Sequence, residues 1–155
     1  MRPVFKNGNA VSSLIDGEVD YLIHVTNSKR KMASGIAKEV RSRVPEAYNV
    51  YMREQELGKI GQVSVANRVF NMTAQERFGY DGRRYLDYGA LAVCLLKVKD
   101  DILSIEDTED VSTIKIGLPH YMGSDRAGGD WGIVMELVCG ILGENFQLVV
   151  YKLGE

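Results

Sequence analysis

Ile114-Lys115-Ile116-Gly117-Leu118-Pro119, three residues, then Gly123-Ser124-Asp125-Arg126-Ala127-Gly128-Gly129-Asp130-Trp131 is the stretch on which the fold turns. A short apolar run over Ile114 to Leu118, stopped by a proline, reads as a buried strand. Asp130 suits the N-cap of a helix whose apolar residues Trp131, Val134, Val138, Ile141 and Leu142 fall on one face. Strand, glycine-rich loop and helix in that order leave free backbone N–H groups and the positive end of a helix dipole at the strand's carboxyl end. An anion is favoured there.

The same succession occurs upstream. Val19 to Val25 is mostly apolar without clean alternation, as a strand covered on both faces should be. A polar loop over Thr26 to Lys31 follows, then Met32-Ala33-Ser34-Gly35-Ile36-Ala37, with Ala33, Ile36, Ala37, Val40 and Val44 at helical spacing. Pro45 ends that helix and opens another over Glu46 to Leu57, with Gly58 in the C′ position. Gln62 to Met72 reads as one or two strands, and Thr73 to Asp87 as a polar loop with no core strand. Asp87 is an N-cap for a helix carrying Tyr88, Leu91, Ala92, Leu95 and Val98, and Gln147 to Leu153 makes a last strand. Strands alternating with helices at this spacing imply a three-layer α/β/α fold around a central, mostly parallel sheet, in one domain over residues 1–155. Such sheets bind ligands beyond the carboxyl ends of their strands.

Apolar residues at 45% and charged residues at 26% exclude a disordered or fibrous chain. Nineteen basic against 21 acidic side chains, a net charge of −2, give no basic field for a phosphate backbone, so nucleic acid is not the expected partner. A phosphate ligand must be small and gripped locally. No apolar stretch approaches the ~20 residues of a membrane span, and the first residues lack the apolar core of a signal peptide. The expected compartment is the cytoplasm, or a host's cytoplasm if the gene is carried by a phage. Cys94 and Cys139 lie in expected helices with no second pair to hold a metal, and read as buried thiols. A monomer with neither metal nor cofactor is expected.

Each glycine-rich loop alone is accounted for by a tight turn. Two in matched topological positions point to a ligand, because each N–H bonded to a charged acceptor contributes roughly 1.5–3 kcal/mol and four or five would hold a diphosphate. Neither loop is a P-loop, and neither has the dinucleotide-binding Gly-x-Gly-x-x-Gly spacing.

His24-Val25-Thr26-Asn27-Ser28, three residues, then Met32-Ala33-Ser34-Gly35-Ile36-Ala37 resembles the macrodomain pattern His-x-Cys-Asn-Cys-x3-Met-Gly-x-Gly-Ile-Ala. Tyr80-Asp81-Gly82-Arg83-Arg84-Tyr85 with Asp87-Tyr88-x-Ala90-Leu91 resembles the middle of bacterial and phage members, and Leu118-Pro119 to Trp131 is similar to their Pro-x-x-Ile-Gly-x-Gly-x-Ala-Gly-Gly-Asp-Trp. The resemblance runs from about Gly8 to Leu153 and is nearest to the branch of ADP-ribose 1″-phosphate phosphatases.

The resemblance implies a three-layer α/β/α macrodomain with a mixed, mostly parallel sheet, and ADP-ribose or its 1″-phosphate as the small-molecule ligand. An ADP-ribosylated protein is a further partner it would allow. Asn27 would hold the distal ribose. Ala33, Ser34, Gly35, Ile36 and Ala37 from the first loop, and Gly123, Ser124, Arg126, Ala127 and Gly128 from the second, would wrap the diphosphate. Asn9 stands where an Asp that meets adenine is commoner, and Tyr151 where an aromatic ring often stacks on it. Asp125-Arg126 replaces a Gly-apolar pair, and Gln75 stands about where deacylating relatives carry a lysine.

The implied activity is hydrolysis of ADP-ribose 1″-phosphate to ADP-ribose and phosphate. His24, Asp130 and Asp125 are the candidate catalytic groups, since a placed general acid or base is worth about 10²–10⁴-fold. A buried strand histidine, a helix cap and a solvated carboxylate are the plain structural alternatives for the three. His120 reads as a surface loop residue, Lys29-Arg30-Lys31 as a solvated turn, and Arg83-Arg84 as part of a covering loop. Two other activities stay open: a reader that binds ADP-ribose without turnover, and a hydrolase that removes ADP-ribose from modified protein or nucleic acid.

Overall fold

A computed structural model describes residues 2–33, 35–76, 85–124 and 128–153. In chain order the elements are β1 (Val4–Asn7), α1 (Ala10–Ile15), β2 (Tyr21–Asn27), α2 (Gly35–Arg43), α3 (Pro45–Glu54), β3 (Gln62–Ala66), β4 (Val69–Gln75), α4 (Tyr88–Glu106), β5 (Lys115–Pro119), α5 (Trp131–Leu142) and β6 (Gln147–Lys152). The strands form one sheet in the order β1-β6-β5-β2-β4-β3, parallel except for the β3–β4 pair. This is the three-layer, mostly parallel arrangement expected. β2 sits inside the sheet and is buried along nearly its whole length, which explains why its apolar residues run on without alternation.

One core lies between the sheet and α4 with α5, built on Tyr21, Ile23, Phe70 and Met72 from the strands and on Leu91, Leu95, Val134 and Val138 from the helices. The other lies under α1, α2 and α3, where Val11, Val40 and Ala47 meet Leu22 and Val69. Successive side chains of β2 therefore alternate between two apolar layers, as the pleat requires.

Several local expectations need correcting. β1 and α1 were not legible: all four residues of β1 are exposed, so no period-2 pattern marks it, and α1 has only six residues. α3 ends at Glu54, and Gly58 lies beyond it with its N–H donated to Ser28 O, so Gly58 is no helix C′ residue. Gln62 to Met72 resolves into a hairpin whose turn residues Asn67 and Arg68 both have positive φ (48° and 65°), the two-residue geometry that matches strand twist. β4 also continues to Gln75, with Thr73 and Ala74 buried, so the polar stretch after Met72 does hold core strand. Cys94 is buried and its thiol is pushed up to about 12 by that burial, whereas Cys139 is only half-buried.

Both anticipated caps are present. Asp87 accepts a hydrogen bond from Ala90 N at 2.8 Å, and Asp130 accepts one from Ile133 N at 3.1 Å. Losing an N-cap carboxylate typically costs ~1 kcal/mol. Asp87→Ala should therefore lower the melting temperature by about 2–4 °C, read in a thermal scan, while Asp87→Ser should keep most of the difference. Among the described residues no helix is long and apolar enough to cross a membrane.

Candidate functional site

The carboxyl ends of β2, β5 and β6 open into a cleft of about 540 Å³, within the size range of small-molecule sites. Its walls come from six places along the chain. The β1–α1 connection supplies Gly8, Asn9 and Ala10; the end of β2 supplies Val25, Thr26 and Asn27. The first loop and the start of α2 give Ala33, Gly35, Ile36, Ala37 and Glu39, and the segment after β5 gives His120, Tyr121, Met122 and Gly123. Tyr151 and Leu153 close the side next to β6, and Gln75 lies at the end of β4. Elements far apart in sequence meet here because β6 is inserted between β1 and β5, bringing the first and last strands together.

The first loop turns into the cleft on a glycine. Gly35 opens α2 with a left-handed φ of 59°, and a Cβ there would meet nothing within 4 Å, so the glycine answers a backbone requirement rather than crowding. Ala33, Gly35, Ile36 and Ala37 all reach the cleft; Ser34 lies outside the described residues. In the second loop Gly123 lines the cleft with φ 73°. Gly129 N donates to Gly123 O at 3.0 Å and closes that loop at its base. Ser124 and Gly128 (φ 70°) are placed beside the cleft rather than among its lining residues, and Ser124 N is bonded to Tyr121 O. Asp125, Arg126 and Ala127 lie outside the described residues.

Asn27 does reach the cleft, although its amide also organises its own loop. Its Oδ1 accepts from Lys29 N at 3.0 Å, its Nδ2 donates to Lys31 O at 2.8 Å, and the buried Tyr51 hydroxyl donates to its backbone carbonyl. Asn9 caps α1 through Oδ1, which accepts from Ser12 N at 2.9 Å, and its Nδ2 donates to both carboxylate oxygens of Glu39 at 2.9 and 2.8 Å. The Tyr151 ring borders the cleft but is only 4% exposed, with Gly8 and Gly117 close enough that a Cβ on either would touch it. Little ring face is left for stacking.

The structure does not bring His24 into the cleft. Its side chain is fully buried and outside the lining, with Nε2 2.6 Å from Asn71 Oδ1. Asn71 is fixed in turn by donating to Ala47 O and Ser64 Oγ, both at 3.0 Å, so its oxygen faces the imidazole and Nε2 carries the proton. Among the described residues Nδ1 then has no hydrogen-bond partner. Burial pushes the His24 pKa down to about 4, with the Asn71 hydrogen bond opposing part of that shift. The residue is a neutral structural histidine three positions before the end of β2 that borders the cleft. Asp130 likewise caps α5, takes the Tyr88 hydroxyl as acceptor for its own N–H, and stands outside the lining.

His120 corrects the opposite error, because it is the histidine in the cleft wall. Its N–H donates to Tyr151 O at 2.8 Å, and its ring lies 3.7 Å from that of Tyr121 and 5.1 Å from that of Trp131, centroid to centroid. Partial burial, and then the nearby Lys152 charge, lower its pKa. Its place at the carboxyl end of β5 was the available signal. Glu39 was also missed, and lies one helical turn beyond Gly35 on the same face of α2.

No protein-family model matches the sequence, and no curated protein matches it significantly. Solved structures do. A protein of unknown function from Bacteroides thetaiotaomicron superposes with a TM-score of 0.76 at 22% identity, over 99% of each chain. The macrodomain of Mycobacterium tuberculosis DarG gives 0.70 at 16% identity, over 97% of this chain and 98% of that one. Thermosipho africanus DarTG, solved in complex with ADP-ribose, gives 0.70 at 15% identity, over 98% of this chain and 42% of that one. The fold of this chain is the macrodomain fold.

Proposed function

We propose that this chain binds ADP-ribose in the cleft at the carboxyl ends of β2, β5 and β6. The observation that carries the reading is the pair of glycine-bearing turns, at Gly35 and Gly123, facing one cleft with left-handed backbone that frees N–H groups for an anion. Thermosipho africanus DarTG, part of which shares this fold, was solved in complex with ADP-ribose, which supports this ligand over other diphosphates. Calorimetric titration of the intact protein with ADP-ribose tests it. Saturable heat that is abolished by a competing excess of ADP-ribose analogue is expected, and a flat titration to millimolar ligand would sink the idea.

Hydrolysis of ADP-ribose 1″-phosphate is the finer reading of the same site. With His24 enclosed and neutral, acid–base work in the cleft falls to His120. Incubation with ADP-ribose 1″-phosphate and measurement of inorganic phosphate decide the matter. Release that falls by about 10²-fold or more in His120→Ala is expected of a placed acid or base. Binding without any release leaves a reader of ADP-ribose, free or attached to protein.

A further inference from the structure

α3 supplies nothing to the lining of the cleft, yet one of its side chains is built into the loop that does. Tyr51 is 0% exposed, and its hydroxyl donates to the Asn27 carbonyl while the backbone N–H groups of Arg30 and Lys31 hydrogen-bond to its oxygen. A phenol has one proton to give and one oxygen to accept with, so these bonds use it completely. Burial pushes the hydroxyl up to about 12 against the opposing pull of those two N–H groups, which keeps the proton in place for Asn27.

The shape of that loop needs an anchor. The chain leaves β2 at a break in register, where Thr26 pairs with Thr73 but Asn27 with Gln75, and it turns back at Arg30 with a left-handed φ of 63°. A residue with a side chain stays in that region only where its surroundings hold it there. The Asn27 amide braces the turn from within, through Lys29 N at 3.0 Å and Lys31 O at 2.8 Å. Arg30 Nη2 also donates to Met52 O of α3 at 3.0 Å, but that contact is exposed. Tyr51 is the buried tie, and it holds three main-chain groups of the turn at once. Directly beyond the turn come Lys31, Ala33 and Gly35, all of which line the cleft.

We infer that Tyr51 is a positioning residue for the ligand: its hydroxyl sets the path of the turn from Asn27 to Lys31, and through it the place of Lys31, Ala33 and Gly35 on the cleft wall. The inference rests on the ADP-ribose reading above. It makes α3 part of the binding machinery although no residue of that helix reaches the cleft. Without the hydroxyl, a carbonyl and two N–H groups lose a shared partner together, and the turn must shift to satisfy them elsewhere.

Tyr51→Phe tests it, because the ring stays and only the hydroxyl goes. Affinity for ADP-ribose, titrated at a temperature where the variant is fully folded, should fall by about tenfold or more, the equivalent of one hydrogen bond lost to the order of the site. Amide hydrogen exchange should quicken by about tenfold at Arg30 and Lys31 and stay at the wild-type rate along α4. Val98→Ala is the comparison: Val98 is buried in the core between the sheet and α4, so its truncation lowers stability without touching the turn. Its affinity should equal that of wild type, which separates positioning from a general loss of stability. Wild-type affinity in Tyr51→Phe, unchanged exchange at Arg30 and Lys31, or an equal loss of affinity in Val98→Ala overturns the inference and leaves ADP-ribose binding standing. A wild type that gives no heat with ADP-ribose takes both down.

Discussion

Replacing Gly129 by alanine should cost about 1–3 kcal/mol of stability and at least tenfold in ADP-ribose affinity, the first being the usual penalty for overpacking a tight site. A Cβ at this position would stand 2.5 Å from Leu86 Cδ2 and 2.6 Å from the carbonyl oxygen of Gly123. The leucine methyl has little room to retreat, since Leu86 is 1% exposed and belongs to the core beneath the second loop. The carbonyl cannot retreat without breaking the Gly129 N–Gly123 O hydrogen bond that closes the loop. Gly123 would be dragged from the cleft wall, and a displacement of that kind should be felt directly as lost affinity. Paired thermal scans and calorimetric titrations read both effects. Alanine at Gly140, inside α5 where a Cβ meets nothing within 4 Å, is the control and should leave affinity within error of wild type while raising stability slightly. Equal behaviour of the two variants would show that the loop closure has no bearing on the site.

Acidification should weaken the fold at a pH where the carboxylates are still ionised. His24 is neutral in the folded chain down to a pH of about 4, against the ordinary value of 6.5 that applies once the chain unfolds. Between those values the unfolded state binds a proton that the folded state refuses, so stability falls as the pH falls. The contribution is fully present above about pH 6.5 and is lost by about pH 4. At 1.36 kcal/mol for each pH unit per proton, the loss between pH 6.5 and 5 amounts to about 2 kcal/mol. Urea unfolding at those two pH values measures it. His24→Gln can keep a hydrogen bond to Asn71 without a titrating ring, and its stability should be nearly flat over the same interval. An equally steep loss in that variant would place the acid sensitivity elsewhere, with His120 the remaining imidazole.

The two imidazoles show where sequence reading stops. His24 and Asn27 are three residues apart on one strand, and linear proximity suggested that both face the ligand. The pleat, the depth of each residue in the sheet, and Asn71 of β4, fixed by Ala47 O of α3 and Ser64 Oγ of β3, decide otherwise. None of these is local. The layered α/β order was legible because apolar runs, Asp87, Asp130 and the prolines carry their meaning within a few residues. So were the turns at Gly35 and Gly123, since a left-handed backbone leaves glycine as its mark. Glu39 and Asn9 form their pair across 30 residues, and nothing near either announces the other. β1 escaped for a different reason: a strand exposed along its whole length has no buried face to write a pattern.

The place of β1 has a bearing on how the molecule comes into being. Its ladder partner is β6, so while the chain is being made the first strand has no neighbour, and the other four have no finished edge on the β5 side, until β6 has been synthesised. β2, β4 and β5 can assemble earlier, and with them the walls that carry Asn27, Gly35 and Gly123. Gly8 and Asn9 can meet Tyr151 only at the end. A nascent chain still on the ribosome thus forms the β2–β5 side of the cleft before the side built from Gly8, Asn9 and Tyr151, and a complete cleft is the last thing the fold acquires.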